Sequence, residues 1–132
     1  MKLPYPIDEI RRHPGMYFRE PSFDVVSAFV EGYDAATIGG FLIGFREWLI
    51  VKLNDGNNLS WSQLALRLLQ AKNGHQDPSS QAIGLLDLLE EFLVIRHSCD
   101  GLRKIYIHYE EWLGGQNWYT PASPQWVRKG DK

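Results

Sequence analysis

DPSSQAIGLLDLLEEFLVIRH, residues 77–97, is the longest run of helical spacing in this chain and decides its fold class. Asp77 and Pro78 are favourable as the N-cap and the first residue of a helix. Arg96 and His97 place cations at the C-terminal end, where the helix dipole favours them. The apolar residues between these ends recur at helical spacing, so we predict a helix over about residues 79–97. Its predicted core side consists of Ile83, Leu86, Leu89, Phe92, Leu93 and Arg96.

Similar signals recur along the rest of the chain. They predict further helices over about residues 7–12, 23–38, 41–53, 61–72 and 102–113. Ser22 is a good N-cap, and Ser60 with Gln63 has the form of a capping box. Residues 23–38 and 41–53 are too apolar for surface helices, and we expect them to form a central helical hairpin. Residues 105–109 also have strand-like composition, but helical spacing accounts for more of the large residues around them.

We therefore predict an all-α fold, a single compact domain of five or six helices that spans residues 1–132. The aromatic content of 13%, with five Trp, predicts an aromatic-rich core. Residues 1–21 form an N-terminal segment around a turn motif, and residues 116–132 form a C-terminal tail. We expect the first part of this tail, with Trp118, Tyr119, Pro121, Pro124 and Trp126, to pack back onto the domain.

Composition limits the partners that this chain can take. The net charge of −2 and the scattered cations argue against nucleic acid as the main partner, because phosphate binding needs clustered cations. The apolar runs are interrupted by glycine and charge, so we expect no membrane span. A single cysteine, Cys99, excludes an intrachain disulfide, and the first residues lack an apolar signal segment. A soluble cytoplasmic protein is the expectation.

The N-terminal motif is RRHPGMY, residues 11–17. Its structural residues are Arg11, Arg12, Pro14, Gly15, Met16 and Tyr17. A Pro-Gly pair is a strong turn signal, so we predict a tight turn there. We expect Met16 and Tyr17 to fill the core, and Arg11 or Arg12 to cap or pair locally.

The motif resembles the R-x-P-G-M-Y segment of gyrase-type ATPase domains. That resemblance implies a catalytic Glu, a metal-binding Asn and a glycine-rich nucleotide loop on the elements that follow. The next helix carries Glu31 and Asp34, but the chain has no Asn before Asn54, and Asp55-Gly56 lacks a second glycine. A nucleotide-binding enzyme fragment of gyrase-type character is therefore the alternative interpretation. The resemblance that supports it covers only the motif itself, residues 11–17.

A second resemblance covers about half of the chain. Ile10-Arg11 through Tyr17 is followed by F-x-x-G-Y-x-x-A at residues 29–36, F-x-x-W at residues 45–48 and Leu59-Ser60-Trp61. This order is similar to that of small bacterial immunity proteins of polymorphic-toxin and contact-dependent-inhibition systems. The resemblance implies a non-enzymatic protein that binds a cognate toxin domain and blocks it.

Clustered carboxylates are the candidate partner-binding residues. Asp87, Glu90 and Glu91 share one helix face, and Glu110-Glu111 lies in the last element. They form either a solvated surface or a contact for a basic toxin such as a nuclease. The histidines and Cys99 lack metal-ligand spacing and a complete catalytic set, so we predict no catalytic residue, metal or cofactor. A third interpretation is a structural or regulatory subunit that docks through exposed Trp residues on a larger assembly.

Overall fold

The computed structural model describes residues 3–74 and 76–119. This part of the chain forms seven α-helices and no strand, so the all-α prediction is confirmed. The helices are α1 (Tyr5–Arg12), α2 (Pro14–Tyr17), α3 (Phe23–Ala36), α4 (Phe45–Leu53), α5 (Trp61–Asn73), α6 (Pro78–Arg96) and α7 (Gly101–Gly114). The last element, which had competing strand character, is a helix. None of the helices in the described residues is both long and apolar enough to cross a membrane.

Helix starts follow the predicted caps. The Ser22 hydroxyl accepts a hydrogen bond from the Val25 N–H, and the Asp77 carboxylate accepts one from the Ser80 N–H at 2.7 Å. Ser60 and Gln63 form a complete capping box, in which each side chain accepts from the other residue's backbone N–H. Each cap satisfies N–H groups that the helix itself leaves without an acceptor. These local sequence signals therefore fix where α3, α5 and α6 begin.

Helix α6 lies at the centre of the packing. Helices α3 and α5 pack against it, and α4 packs mainly against α5 and α7. Phe45 of α4 and Phe92 of α6 are fully buried with ring centroids 5.0 Å apart, and Trp48 and Trp61 pack around Phe45. The core is thus aromatic-rich, as predicted.

Two details of the predicted packing are wrong. Helix α3 lies on α6 and does not form a hairpin with α4, because residues 37–44 form turns and α4 begins only at Phe45. Gly44 precedes α4 with a φ of 87°, and a Cβ there would lie 2.8 Å from the Leu102 side chain.

The second error is Ile83, which is 54% exposed. Because α6 is apolar on several sides, Leu85 and Leu88 occupy core positions that the predicted stripe left out.

The described chain ends beside α7. Trp118 packs edge-to-face against Trp112, with ring centroids 6.2 Å apart, and Tyr119 follows it. This contact agrees with the expected return of the tail onto the domain. The expected packing of Pro121, Pro124 and Trp126 lies outside the described residues.

Candidate protein-interaction site

The RRHPGMY motif spans the end of α1 and all of α2. α1 ends at Arg12, His13 links the two helices, and Pro14 starts α2 at the position where a missing N–H costs nothing. The predicted tight turn is therefore a single turn of helix. A Cβ on Gly15 would meet no atom within 4 Å, so nothing around this glycine excludes a side chain.

The apolar side chains of the motif face solvent. Met16 is 79% exposed and Tyr17 is 45% exposed, so the prediction that they fill the core is wrong. Helix α2 lies at the periphery against α1, and Ile7 and Ile10 already fill the core side of α1. The next residue, Phe18, packs inward against Phe29 with ring centroids 6.0 Å apart. Phe18 therefore makes the core contact that we expected of its neighbours.

Tyr5 extends this exposed surface. It is 75% exposed at the start of α1. A hydrogen bond with the Glu9 carboxylate, together with the negative charge of that carboxylate, raises the pKa of Tyr5, and Tyr17 adds a smaller contribution. Helix α2, which carries Met16 and Tyr17, packs against α1, which begins at Tyr5. We call Tyr5, Met16 and Tyr17 the motif face.

A concavity adjoins the motif face. It has a volume of about 630 Å³ and is open to solvent. Its lining residues are Tyr17, Phe18, Arg19, Glu20, Ser22 and Val25. One cation, one anion and several apolar or aromatic groups therefore surround it, a mixture that suits a protein side chain better than a phosphate group.

Arg11 connects the motif to the central helix. Its Nη1 donates to the Glu90 carboxylate at 3.0 Å, and its Nη2 lies 3.3 Å from the Asp87 carboxylate. Arg12, in contrast, pairs within its own helix with Asp8 at 2.9 Å. The expected local pairing is thus correct for Arg12, whereas Arg11 makes a long-range contact.

The candidate partner-binding carboxylates fall into two sets. The α6 set, Asp87, Glu90 and Glu91, is already engaged, since Glu91 accepts from Lys52 at 3.0 Å and the other two flank Arg11. Glu110 and Glu111 are exposed on α7, and among the described residues neither is part of an ion pair. The structure therefore brings the motif and the α6 set together at Arg11, and it places the second set on another helix.

Glu31 and Asp34, which follow the motif, and Asn54, the first Asn of the chain, all make hydrogen bonds between different parts of the fold. The Glu31 carboxylate accepts a hydrogen bond from the Trp61 indole at 2.6 Å, which joins α3 to α5. Asp34 accepts from the Leu42 N–H at 2.8 Å, and Asn54 accepts from the Trp112 indole at 2.6 Å. Within residues 3–74 and 76–119, no group of three His, Cys, Asp or Glu side chains is arranged to hold a metal ion.

Sequence reasoning did not identify Tyr5 and Ile38 as exposed apolar residues. Tyr5 lies between two prolines, and this isolation from any apolar stripe could have indicated a surface position. Ile38 follows the end of α3 and is 95% exposed. Its position immediately before a Gly-Gly pair was the available signal, because that pair marks the predicted end of the helix.

Comparison with protein families, with curated proteins and with solved structures gives no match to this chain.

Proposed function

We propose that this protein is an immunity protein that binds a cognate toxin domain and blocks it by covering its surface, without catalysis. The observation that carries the proposal is the exposure of the motif face, Tyr5, Met16 and Tyr17. Burying a large apolar side chain contributes roughly 1.5–3 kcal/mol, a gain that these residues do not obtain within the domain. Tyr and Met are also enriched at protein–protein interfaces.

The motif face is built on a braced segment. The contact between Arg11 and Glu90 ties α1 to α6, and the Ser79 hydroxyl donates to the carbonyl of Pro21 at 3.2 Å. These two contacts hold the N-terminal segment against α6 from both sides of the motif. A surface that is ordered before binding loses less conformational entropy when the partner arrives, so more of the contact energy appears as affinity.

The charged surface residues affect a second property of the interaction, the rate of association. The α6 carboxylates have their charge partly offset by Arg11 and Lys52. Glu110 and Glu111 are therefore the stronger candidates for attracting a basic toxin, such as a nuclease, over a distance of about a Debye length. The motif face then supplies the short-range contact.

The test is neutralisation of a toxin domain. The probe is the toxin-like domain encoded next to this gene, co-expressed with the full chain in a sensitive strain and purified for binding measurements. Rescue of growth together with a stable one-to-one complex would support the proposal. A gene neighbourhood without such a domain, or growth arrest that the chain does not relieve, would overturn it.

The same preparation separates the other two interpretations. Titration with ATP and magnesium should give no heat of binding. Measurable binding that is lost in Glu31→Ala and also in Glu31→Gln, which keeps an acceptor for Trp61 and removes only the charge, would favour the gyrase-type alternative. Stable association with a housekeeping protein and not with a toxin would favour a structural or regulatory subunit.

A further inference from the structure

A second pocket lies between the loop that joins α4 to α5 and the C-terminal end of α7. It has a volume of about 250 Å³ and is open to solvent. Two indole rings and four planar polar groups line it, those of Asp55, Asn57, Asn58, Trp112, Gln116 and Trp118. The pocket therefore shares no residue with the motif face or with the candidate partner-binding carboxylates.

Hydrogen bonds hold the polar wall of this pocket in place. The side-chain carbonyl of Asn54 accepts from the Trp112 indole at 2.6 Å, and that of Asn57 accepts from the Tyr109 hydroxyl. These two bonds join the loop to α7. From the other side, Arg46 of α4 donates to the backbone carbonyl of Asn57. A ligand thus meets groups that are already ordered, which lowers the entropic cost of binding.

The two indole rings form an apolar corner of the pocket. The ring centroids of Trp112 and Trp118 lie 6.2 Å apart, and the ring planes are inclined by 64°. Trp118 is still 55% exposed, so much of its apolar surface is uncovered. A puckered ring with C–H groups on several sides can pack against both inclined planes, whereas a flat aromatic base stacks on one plane at a time.

The polar groups of the pocket include both donors and acceptors. Because the side-chain carbonyl of Asn57 is already in use as an acceptor, its amide N–H groups remain as donors. One Asp55 oxygen accepts from the Gly56 N–H, which leaves the other oxygen for a ligand. Gln116 donates to the backbone carbonyl of Trp112, and its side-chain oxygen remains as an acceptor. Hydroxyl groups both donate and accept, so neighbouring hydroxyls on one ring match this set.

The charge of the pocket argues against two other classes of ligand. Asp55 is the single charged residue among the described lining residues, so a phosphate or carboxylate group would find no cation there. An ammonium group would suit the indole faces and Asp55, but it has no acceptor for the amide N–H groups of Asn57. A neutral ring with several hydroxyls suits both the indoles and the polar wall.

We propose that this pocket binds a neutral sugar residue, whose ring packs against the two indoles and whose hydroxyls bind the planar polar side chains. The volume holds one such ring, and the opening to solvent leaves space for the remainder of an oligosaccharide. This binding does not rest on the proposed immunity function, because the two use different residues. The sugar site and toxin neutralisation therefore stand or fall separately.

Titration of the isotope-labelled full chain with neutral sugars is the first arm of the test. The probes are the methyl glycosides of glucose, galactose, mannose and N-acetylglucosamine, and the indole N–H resonances are the readout. We expect at least one probe to bind with a Kd of about 0.1–10 mM, since a single ring makes few contacts. The indole resonances of Trp112 and Trp118 should shift, whereas those of Trp48 and Trp61, which pack around Phe45, should not. No saturable binding of any probe up to about 50 mM would overturn the proposal.

Variants of Trp118 test the apolar corner. Trp118→Ala removes an exposed ring, so it should weaken binding at least about tenfold and leave the melting temperature within a few degrees of the wild type. Trp118→Phe keeps an aromatic face and should recover part of the loss. Tyr5→Ala, which removes an exposed ring from α1, is the matched control and should bind as the wild type does. Unchanged affinity in Trp118→Ala would contradict the site.

Asn58 tests the polar wall in the same titration. Its side chain is exposed, so Asn58→Ala should fold normally and weaken binding about three- to tenfold, the loss expected for one hydrogen bond. Asn73→Ala removes the same group from an exposed position at the end of α5 and should have no effect. Equal affinities for these two variants would show that the polar wall makes no contact with the sugar.

Two further measurements separate a sugar from other ligands. The affinity for a neutral sugar should be the same at about 20 mM and 500 mM salt, because no charge is neutralised on binding. Tetramethylammonium and adenosine are the competing probes. If either binds more tightly than every sugar and loses affinity in Trp118→Ala, the pocket is a cation or nucleobase site, and the proposal is overturned.

Discussion

The guanidinium of Arg11 lies 3.0 Å from the carboxylate of Glu90, which is 79 residues further along the chain. This contact fixes the N-terminal segment to the central helix, and its environment is only partly open, since the Arg11 side chain is 27% exposed. Charge-assisted hydrogen bonds of this kind are stronger than neutral ones. The contact therefore helps to hold the motif face in place, together with the buried Ile7 and Ile10 of α1 and the hydrogen bond from Ser79 to Pro21.

Removing this contact should destabilise the protein measurably. We expect Arg11→Ala and Glu90→Ala each to lower the free energy of unfolding by about 1–2 kcal/mol in chemical denaturation. Arg12→Ala breaks only the i,i+4 pair with Asp8 on the same helix, in which the Arg12 side chain is 60% exposed, and should cost less than about 0.5 kcal/mol. The double variant should lose less than the sum of the single losses. Additive losses in this double-mutant cycle would show that the two side chains are not coupled.

The motif glycine should tolerate a side chain, in contrast to Gly101. A Cβ on Gly101 would collide with the backbone carbonyls of Ile95 and Arg96, so Gly101→Ala should cost more than about 2 kcal/mol of unfolding free energy. A Cβ on Gly15 has open space, and Gly15→Ala should be neutral or stabilising by up to about 1 kcal/mol. Thermal melts of both variants provide the measurement. A strongly destabilised Gly15→Ala would mean that the Pro-Gly pair forms the sequence-predicted tight turn after all.

Asp77 should make the stability of the protein depend on pH in the acid range. Hydrogen bonds donated by Ser80, the backbone N–H first, lower the pKa of Asp77 from its ordinary value of 3.8. The ionised carboxylate therefore stabilises the folded state at pH values above its ordinary pKa. This contribution disappears as the pH falls through the lower pKa of the folded state. Melting temperatures measured between about pH 5 and pH 2 should converge for the wild type and Asp77→Asn, because Asn caps without titrating. A constant difference across this range would contradict the assignment.

These residues also explain how far sequence alone could predict the fold. Ser60, Ser22 and Asp77 act within a few residues of themselves, so helix starts could be read from local chemistry. The exposure of Met16 could not be predicted in this way, because it depends on where α2 lies after α1 has docked on α6. Ile83 was assigned to the core for a related reason: α6 is apolar on several sides, and no single stripe identifies its exposed face. The candidate site depends on such tertiary placement, so sequence reasoning found its motif but not its orientation.

The α7 carboxylates should affect the rate of binding more than its strength. Neutralising both in Glu110→Gln/Glu111→Gln should slow association with a basic partner about two- to fivefold at low salt and reduce the salt dependence of that rate. Stopped-flow or surface-based kinetics at two ionic strengths provide the measurement. Lys72→Gln, which alters one exposed charge on α5, serves as a control. Charge reversal of Glu90 and Glu91 is a poorer test, because it also breaks the contacts with Arg11 and Lys52.

The motif face should be required for neutralisation and dispensable for folding. Tyr5→Asp and Met16→Asp place a charge on side chains that contact little of the domain, so the melting temperature should stay within a few degrees of the wild type. If these residues anchor the partner, the double variant should bind at least about thirtyfold more weakly and should fail to rescue growth. Val94→Asp adds the same charge to an exposed apolar residue near the C-terminal end of α6 and should keep full activity. Full rescue by the Tyr5 and Met16 double variant would remove the motif face from the interface and with it the observation that carries the proposed function.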